Sequence, residues 1–181
     1  IVKRFESVSI LFADIVGVTI LSEKLSPQKV VDILNGLFSK FDDLTDKYQL
    51  EKIKTIGDAY MVAAGVPEEK DNHAQLMFAF AKEMLQTLQD FNQTMGGNLK
   101  IRIGISSGPV VAGVIGKKKF AYDLWGDTVN TAARMEANGR ADCIQVSPTT
   151  HVILKKETVF EKIPKVEIKG KGLMDVYLWT P

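Results

Sequence analysis

With 181 residues, 45% of them apolar and 25% charged, the chain has the size and make-up of one globular domain with a proper core. A formal charge of +1 excludes a broad basic surface for nucleic acid or anionic lipid, and no apolar run reaches the ~20 residues of a membrane helix. The lone Cys143 excludes an intrachain disulfide and fits a reducing compartment, and His73 and His151 lack the companion cysteines of a zinc site.

Ser7 to Ile15 reads as a buried strand. Ser26-Pro27 starts a helix, with a capping hydroxyl followed by proline at the first helical position. Val30, Val31, Leu34, Leu37, Phe38, Phe41 and Leu44 then recur at helical spacing and form a core stripe. Leu50–Ile56 and Ala59–Ala64 are strands joined at Gly57-Asp58, a hairpin signal. Asp71 or Asn72 caps a second helix, with Ala74, Met77, Phe78, Ala81, Met84, Leu85 and Leu88 on one face and Gly96-Gly97-Asn98 at its end. Two strands, Leu99–Ser106 and Val110–Ile115, are expected around a break at Ser107-Gly108-Pro109. A third helix spans Asp127 to Asn138, a short strand Ile144 to Val146, and a short helix runs from Ser147-Pro148 to Leu154. Phe160–Ile168 and Leu173–Trp179 close the chain as strands around Gly170-Lys171-Gly172. The irregular alternation, with hairpins, predicts one α+β domain with a mixed or antiparallel sheet.

Two carboxylates carry the chemistry. Asp14 ends the run Ser9-Ile10-Leu11-Phe12-Ala13, and Asp58 sits at the hairpin tip. Brought together by a sheet, they could hold hard divalent cations over a triphosphate. Taken singly, one also reads as a helix N-cap and the other as a turn residue. Lys54 alone reads as a solvated strand lysine, Asp123 as a turn residue and Arg102 as a snorkelling strand residue. Asn130 and Arg134, four apart on a helix, also suit an ordinary surface pair.

Five segments in register change that reading. They are Phe12–Thr19, Lys52–Met61, Ile101–Gly108, Tyr122–Glu136 and Lys169–Gly172. Their order and spacing resemble the class III nucleotidyl cyclase catalytic domain over nearly the whole chain. The resemblance implies a ferredoxin-like βαβ sandwich across residues 1–181, working as a head-to-tail homodimer with sites at the interface. It implies that a nucleoside triphosphate becomes a 3′,5′-cyclic monophosphate and pyrophosphate with two divalent cations, Mg²⁺ or Mn²⁺. Asp14 and Asp58 match the metal aspartates, with the Ile15 carbonyl as a further ligand. Gly17, Val18, Thr19, Arg102 and Lys169 match phosphate-binding positions, although Val18 stands where the family usually has phenylalanine. Lys54 and Asp123 match the base-reading pair, Asn130 the ribose-orienting residue, and Arg134 the one that steadies charge on the transferring phosphoryl group.

The types at positions 54 and 123 point to adenine. Lys54 donates to N1, and Asp123 accepts from the 6-amino group; guanine reverses both polarities. ATP is therefore the expected substrate. The framework, however, resembles eukaryotic guanylyl cyclases, nearest to those of fungal rhodopsin–guanylyl cyclase fusions, which leaves GTP as the alternative. On one extended strand Lys54 and Asp58 are ~13 Å apart, so each could serve a different site across a two-fold axis. The chain has no initial Met, so a sensor or membrane domain is expected elsewhere in a longer protein, with this part cytoplasmic. A non-catalytic nucleotide-binding module remains the reading from a different class. A diguanylate cyclase would need a Gly-Gly-Asp/Glu-Glu-Phe hairpin, which Gly96-Gly97-Asn98-Leu99 is not. A polymerase palm would need more positive charge for a template.

Overall fold

The computed structural model describes residues 2–181. Chain order is β1 (Val2–Val16), α1 (Val18–Lys24), α2 (Pro27–Lys47), β2 (Glu51–Ile56), β3 (Ala59–Ala64), α3 (His73–Met95), β4 (Lys100–Ile115), β5 (Ala121–Trp125), α4 (Asp127–Ala137), β6 (Cys143–Val146), α5 (Pro148–Leu154), β7 (Glu161–Ile168) and β8 (Gly172–Trp179). The strands form one mixed sheet in the order β2-β3-β1-β4-β6-β8-β7, with β5 paired to β4. Among the described residues only the β4–β6 pairing is parallel. The α+β expectation holds.

The alternation of side chains along β1 and β4 divides the sheet into two faces. Leu11, Ala13 and Ile15 of β1 and Ile101, Ile103 and Ile105 of β4 pack against Leu37 and Phe41 of α2 and Met77, Phe80 and Met84 of α3. Ile10 of β1, Met61 and Ala63 of β3 and Val110 and Ala112 of β4 lie on the other face, against Ala132 of α4. Asp14 is in phase with Ile10, and Arg102 lies between Ile101 and Ile103. Both therefore project to the α4 face.

Local signals account for the start of α2 and the end of α3. The Ser26 side chain accepts from the Lys29 N–H, and Pro27 opens α2. Asn72 takes the N-cap position of α3 without a side-chain cap bond, and left-handed Gly96 closes that helix.

The structure departs from the sequence reading at five places. β1 begins at Val2 rather than near Ser7, and its pairing with β4 shifts register between Phe5 and Val8. β4 is one strand of 16 residues and not two, because Ser107-Gly108-Pro109 stays extended where that bulge forms opposite. The short helix α1 and strand β5 were not expected. Val31 is 58% exposed and lies outside the α2 stripe, where Val30, Leu37 and Phe41 are buried. Its place one residue after Val30 turns it ~100° away around the helix.

Candidate active site

Antiparallel pairing assembles the acidic site. Asp14 is opposite Ala59 on one side and Arg102 on the other. The β2–β3 tip folds over the end of β1, where the Ile15 N–H donates to the Asp58 carbonyl at 3.1 Å. This sets Asp58 beside Asp14. Burial first, then the Asp58 and Glu136 charges, push the Asp14 carboxyl up to about 6, while Arg102 opposes the rise. Arg102 donates from Nη2 to Asp14 Oδ2 at 3.2 Å and from Nε to Glu136 Oε2 at 2.9 Å. Two carboxylates thus contact one guanidinium, with Asp58 as a third beside Asp14, which leaves a surplus of negative charge.

Glu136 reaches this site because α4 lies directly on β4. A Cβ on Gly104 would stand 2.0 Å from the Glu136 backbone nitrogen, so no other residue fits beneath the helix. Sequence reading assigned Glu136 no role. The partners Arg102 and Glu136 are 34 residues apart, and no local pattern announces their meeting.

The second group lies on β2 and β5. Lys54 is opposite Met61, which belongs to the α4-side core, so Lys54 shares that face. Its Nζ donates to Asp123 Oδ2 at 2.7 Å, with side chains 43% and 23% exposed. Asp123 also accepts the Leu124 N–H through Oδ1 at 2.8 Å, which fixes its rotamer.

The remaining predicted residues are placed separately. Gly17 is left-handed, at φ 98°, and caps α1. Val18 opens α1 and is partly buried, and Thr19 is exposed. Asn130 and Arg134 sit on α4, whose buried residues are Thr128, Thr131, Ala132 and Met135. Asn130 is exposed and Arg134 partly buried, and among the described residues neither side chain has an ion-pair or hydrogen-bond partner. Arg134 and Glu136 are two apart on α4 and so face different directions. Lys169 is exposed in the β7–β8 turn, where Lys171 Nζ donates to Asp127 Oδ1 at 2.5 Å and ties that turn to the start of α4.

The acidic pair fits hard divalent cations. Mg²⁺ sites use one or two carboxylates and complete their shell with substrate phosphates and water. Two neighbouring carboxylates, one with its pKa raised by burial and by the charges beside it, are the donor set that such an ion would relieve.

The mixed sheet thus sets two acidic side chains beside an arginine, with a separate lysine–carboxylate pair on the same face. The adenylate and guanylate cyclase catalytic domain matches residues 1–180, and the chain belongs to that family. An adenylate cyclase of Mycobacterium tuberculosis is 41% identical over 174 residues, covering 96% of this chain and 39% of its own length. The chain thus spans about two-fifths of the length of that relative. The guanylate cyclase domain of RhGC from Catenaria anguillulae, solved with GTP, is 38% identical with a TM-score of 0.93 and 97% coverage of both chains. The catalytic core of a rhodopsin–guanylyl cyclase with converted specificity, solved with ATPαS, is 38% identical with a TM-score of 0.93, covering 99% of this chain and 97% of that one. Adenylate and guanylate cyclases are both represented, and the expected class III fold holds. No helix among the described residues is long and apolar enough to cross a membrane.

Proposed function

We propose that this domain converts ATP to 3′,5′-cyclic AMP and pyrophosphate. The observation that carries the choice of base is the Lys54–Asp123 pair, a donor beside an acceptor on one face of the sheet. Adenine offers the complementary acceptor at N1 and donor at its 6-amino group. Guanine would meet both groups with the wrong polarity, and unpaired polar groups at a base pocket discriminate strongly. The converted-specificity relative bound to ATPαS supports this, since its framework takes an adenine nucleotide. The likeness to a guanylate cyclase bound to GTP favours GTP as the second reading.

Asp14, Asp58 and the Ile15 carbonyl would hold the divalent cations. When bound, such ions lower the pKa of the ribose 3′-hydroxyl and neutralise the leaving phosphates. Arg102, and Gly17, Val18 and Thr19 at the start of α1, receive the triphosphate. Asn130 orients the ribose so that its 3′-oxygen lies in line with the α-phosphorus. Arg134 steadies charge on the transferring phosphoryl group, and Lys169 engages the terminal phosphates. The 3′-oxygen–phosphorus bond forms, the α–β bridging bond breaks, and the hydroxyl proton leaves to solvent.

The functional unit is a head-to-tail homodimer. Arg134 faces away from the Glu136 side of α4, so one chain's Arg134 does not address its own Asp14–Asp58 pair. Phe12, Ile53, Tyr122 and Val129 are only partly buried on the same sheet face, an apolar surface that a second copy covers. Each site would draw Asp14, Asp58 and Arg102 from one chain and Lys54, Asp123, Asn130, Arg134 and Lys169 from the other. Sensor or membrane domains are expected elsewhere in the full protein, with this domain in the cytoplasm. The test is product formation from ATP and GTP in parallel, with Mg²⁺ and Mn²⁺, at several protein concentrations. Cyclic AMP in excess, with specific activity rising with concentration, is the expected outcome. Cyclic GMP in excess refutes the choice of base. No cyclic product from confirmed dimers with bound nucleotide refutes catalysis and favours a regulatory module.

A further inference from the structure

Glu136 lies outside the residues assigned above, yet it is more enclosed than either Asp14 or Arg102. Its side chain is only 13% exposed, against 24% for Asp14 and 32% for Arg102. Its place is fixed by backbone, because Gly104 lets α4 rest on β4 at this residue. The carboxylate takes the Nε–H of Arg102, while Nη2 donates to Asp14. An arginine has five N–H donors, and these two contacts use two of them.

The arrangement solves a competition problem. Asp14 must be open to a cation, but the nearest positive charge is Arg102, in register directly across the strand pair. An arginine free to rotate would close on Asp14 as a two-pronged pair, the preferred geometry of guanidinium with carboxylate. Glu136 holds the Nε edge, which removes the side-on paired face and fixes the guanidinium so that Nη2 alone meets Asp14.

We propose that Glu136 is a positioning residue for substrate: it holds Arg102 by Nε so that the terminal nitrogens can leave Asp14 for the triphosphate when cations occupy the Asp14–Asp58 pair. Glu136 touches neither cation nor nucleotide in this scheme and acts through Arg102. The raised pKa of Glu136, caused first by burial and opposed by Arg102, agrees with a carboxylate that depends on its arginine to stay charged. The proposal rests on the reading of Asp14 and Asp58 as the cation pair.

The test is a double-mutant cycle read by binding. Affinity for a non-hydrolysable ATP analogue with Mn²⁺ is measured calorimetrically for the unaltered domain, E136A, R102A, E136A/R102A and E136Q. Mn²⁺ binding without nucleotide is followed by electron paramagnetic resonance. E136A is expected to weaken analogue binding about tenfold, the loss of one charge-assisted hydrogen bond that places an arginine. In the R102A background the same change should cost less than about twofold, since nothing remains for it to position. E136Q keeps an acceptor for Nε–H and should recover most of the affinity. E136A should also weaken Mn²⁺ binding through closure of Arg102 on Asp14, and R102A should restore it. An equal tenfold cost of E136A with and without Arg102 overturns the proposal, as does unchanged affinity in E136A alone. Thermal unfolding of each variant separates a purely structural role, which would lower the midpoint equally in both backgrounds. A D14N variant that binds Mn²⁺ as well as the unaltered domain would instead refute the cation reading underneath.

Discussion

Exchange of Lys54→Glu and Asp123→Cys together tests the base-reading pair. The two side chains meet at 2.7 Å but are 43% and 23% exposed, and at that exposure an ion pair stabilises the fold by no more than ~1 kcal/mol. Folding should survive the change. The effect on the base is larger. Each reversed hydrogen bond leaves a mismatch worth ~1–3 kcal/mol, and two partly exposed ones sum to ~2–4 kcal/mol. That corresponds to a change of ~30- to 1000-fold in the ratio of kcat/KM for ATP over GTP. The singles are informative because the residues touch. Lys54→Glu alone sets a new carboxylate against Asp123 and offers adenine N1 no donor, so it should be the least active of the four proteins on either nucleotide. Asp123→Cys alone keeps the Lys54 donor and should retain part of its ATP activity. The assay is initial-rate cyclic nucleotide formation from each triphosphate, with the four proteins at equal dimer concentration. A ratio that moves less than about threefold in the double variant would refute the reasoning.

Mixing D14N/D58N with N130A/R134A, each inactive alone, should restore activity to about a quarter of the unaltered level, because half of random dimers then hold one complete site of two; no recovery in confirmed heterodimers would contradict the shared site. Gly104→Ala puts a methyl 2.0 Å from the Glu136 nitrogen and should cost about 2–3 kcal/mol, a fall in Tm of roughly 5–10 °C by calorimetry. The raised Asp14 pKa gives a pH signature without metal. The folded chain holds this proton from the ordinary 3.8 up to about 6, so between those values it binds more protons than the unfolded chain and stability falls as pH rises. Asp14→Asn should flatten that fall in thermal scans. Buried His73 works in the opposite direction below its ordinary 6.5 and is present in both proteins.

Much of the architecture was legible because it is periodic. The stripe on α2, the Gly57-Asp58 turn and the Ser26-Pro27 start each rest on residues close in sequence. Val31 was misplaced because apolar residues at helical spacing span a wider arc than the face that α2 buries. Ser107-Gly108-Pro109 looked like a break because turn residues carry no sign of a partner strand that bulges opposite them. Asp14, Arg102, Lys54 and Asp123 were legible one by one, but their distances were not, since β1 meets β3 and β4 only through tertiary pairing. Glu136 was hidden for the same reason. Its role depends on Gly104 letting a helix settle onto a strand, and a glycine within Ile103-Gly104-Ile105 does not announce what comes to lie on it.

The two acidic residues belong to parts of the sheet that differ in how readily they open. Asp14 stands on β1, flanked on both sides by paired strands, whereas Asp58 caps a hairpin whose outer member, β2, is the sheet's edge. Edge hairpins fray without the rest of a domain unfolding. A cation held between Asp14 and Asp58 is therefore a clasp from the rim to the middle of the sheet. Amide hydrogens of β2 and β3 should exchange more slowly with solvent once it is bound, and those of β1 should hardly change. The site lasts only as long as its outer half stays closed, so substitutions in β2 far from any phosphate can weaken it by raising the frequency of opening.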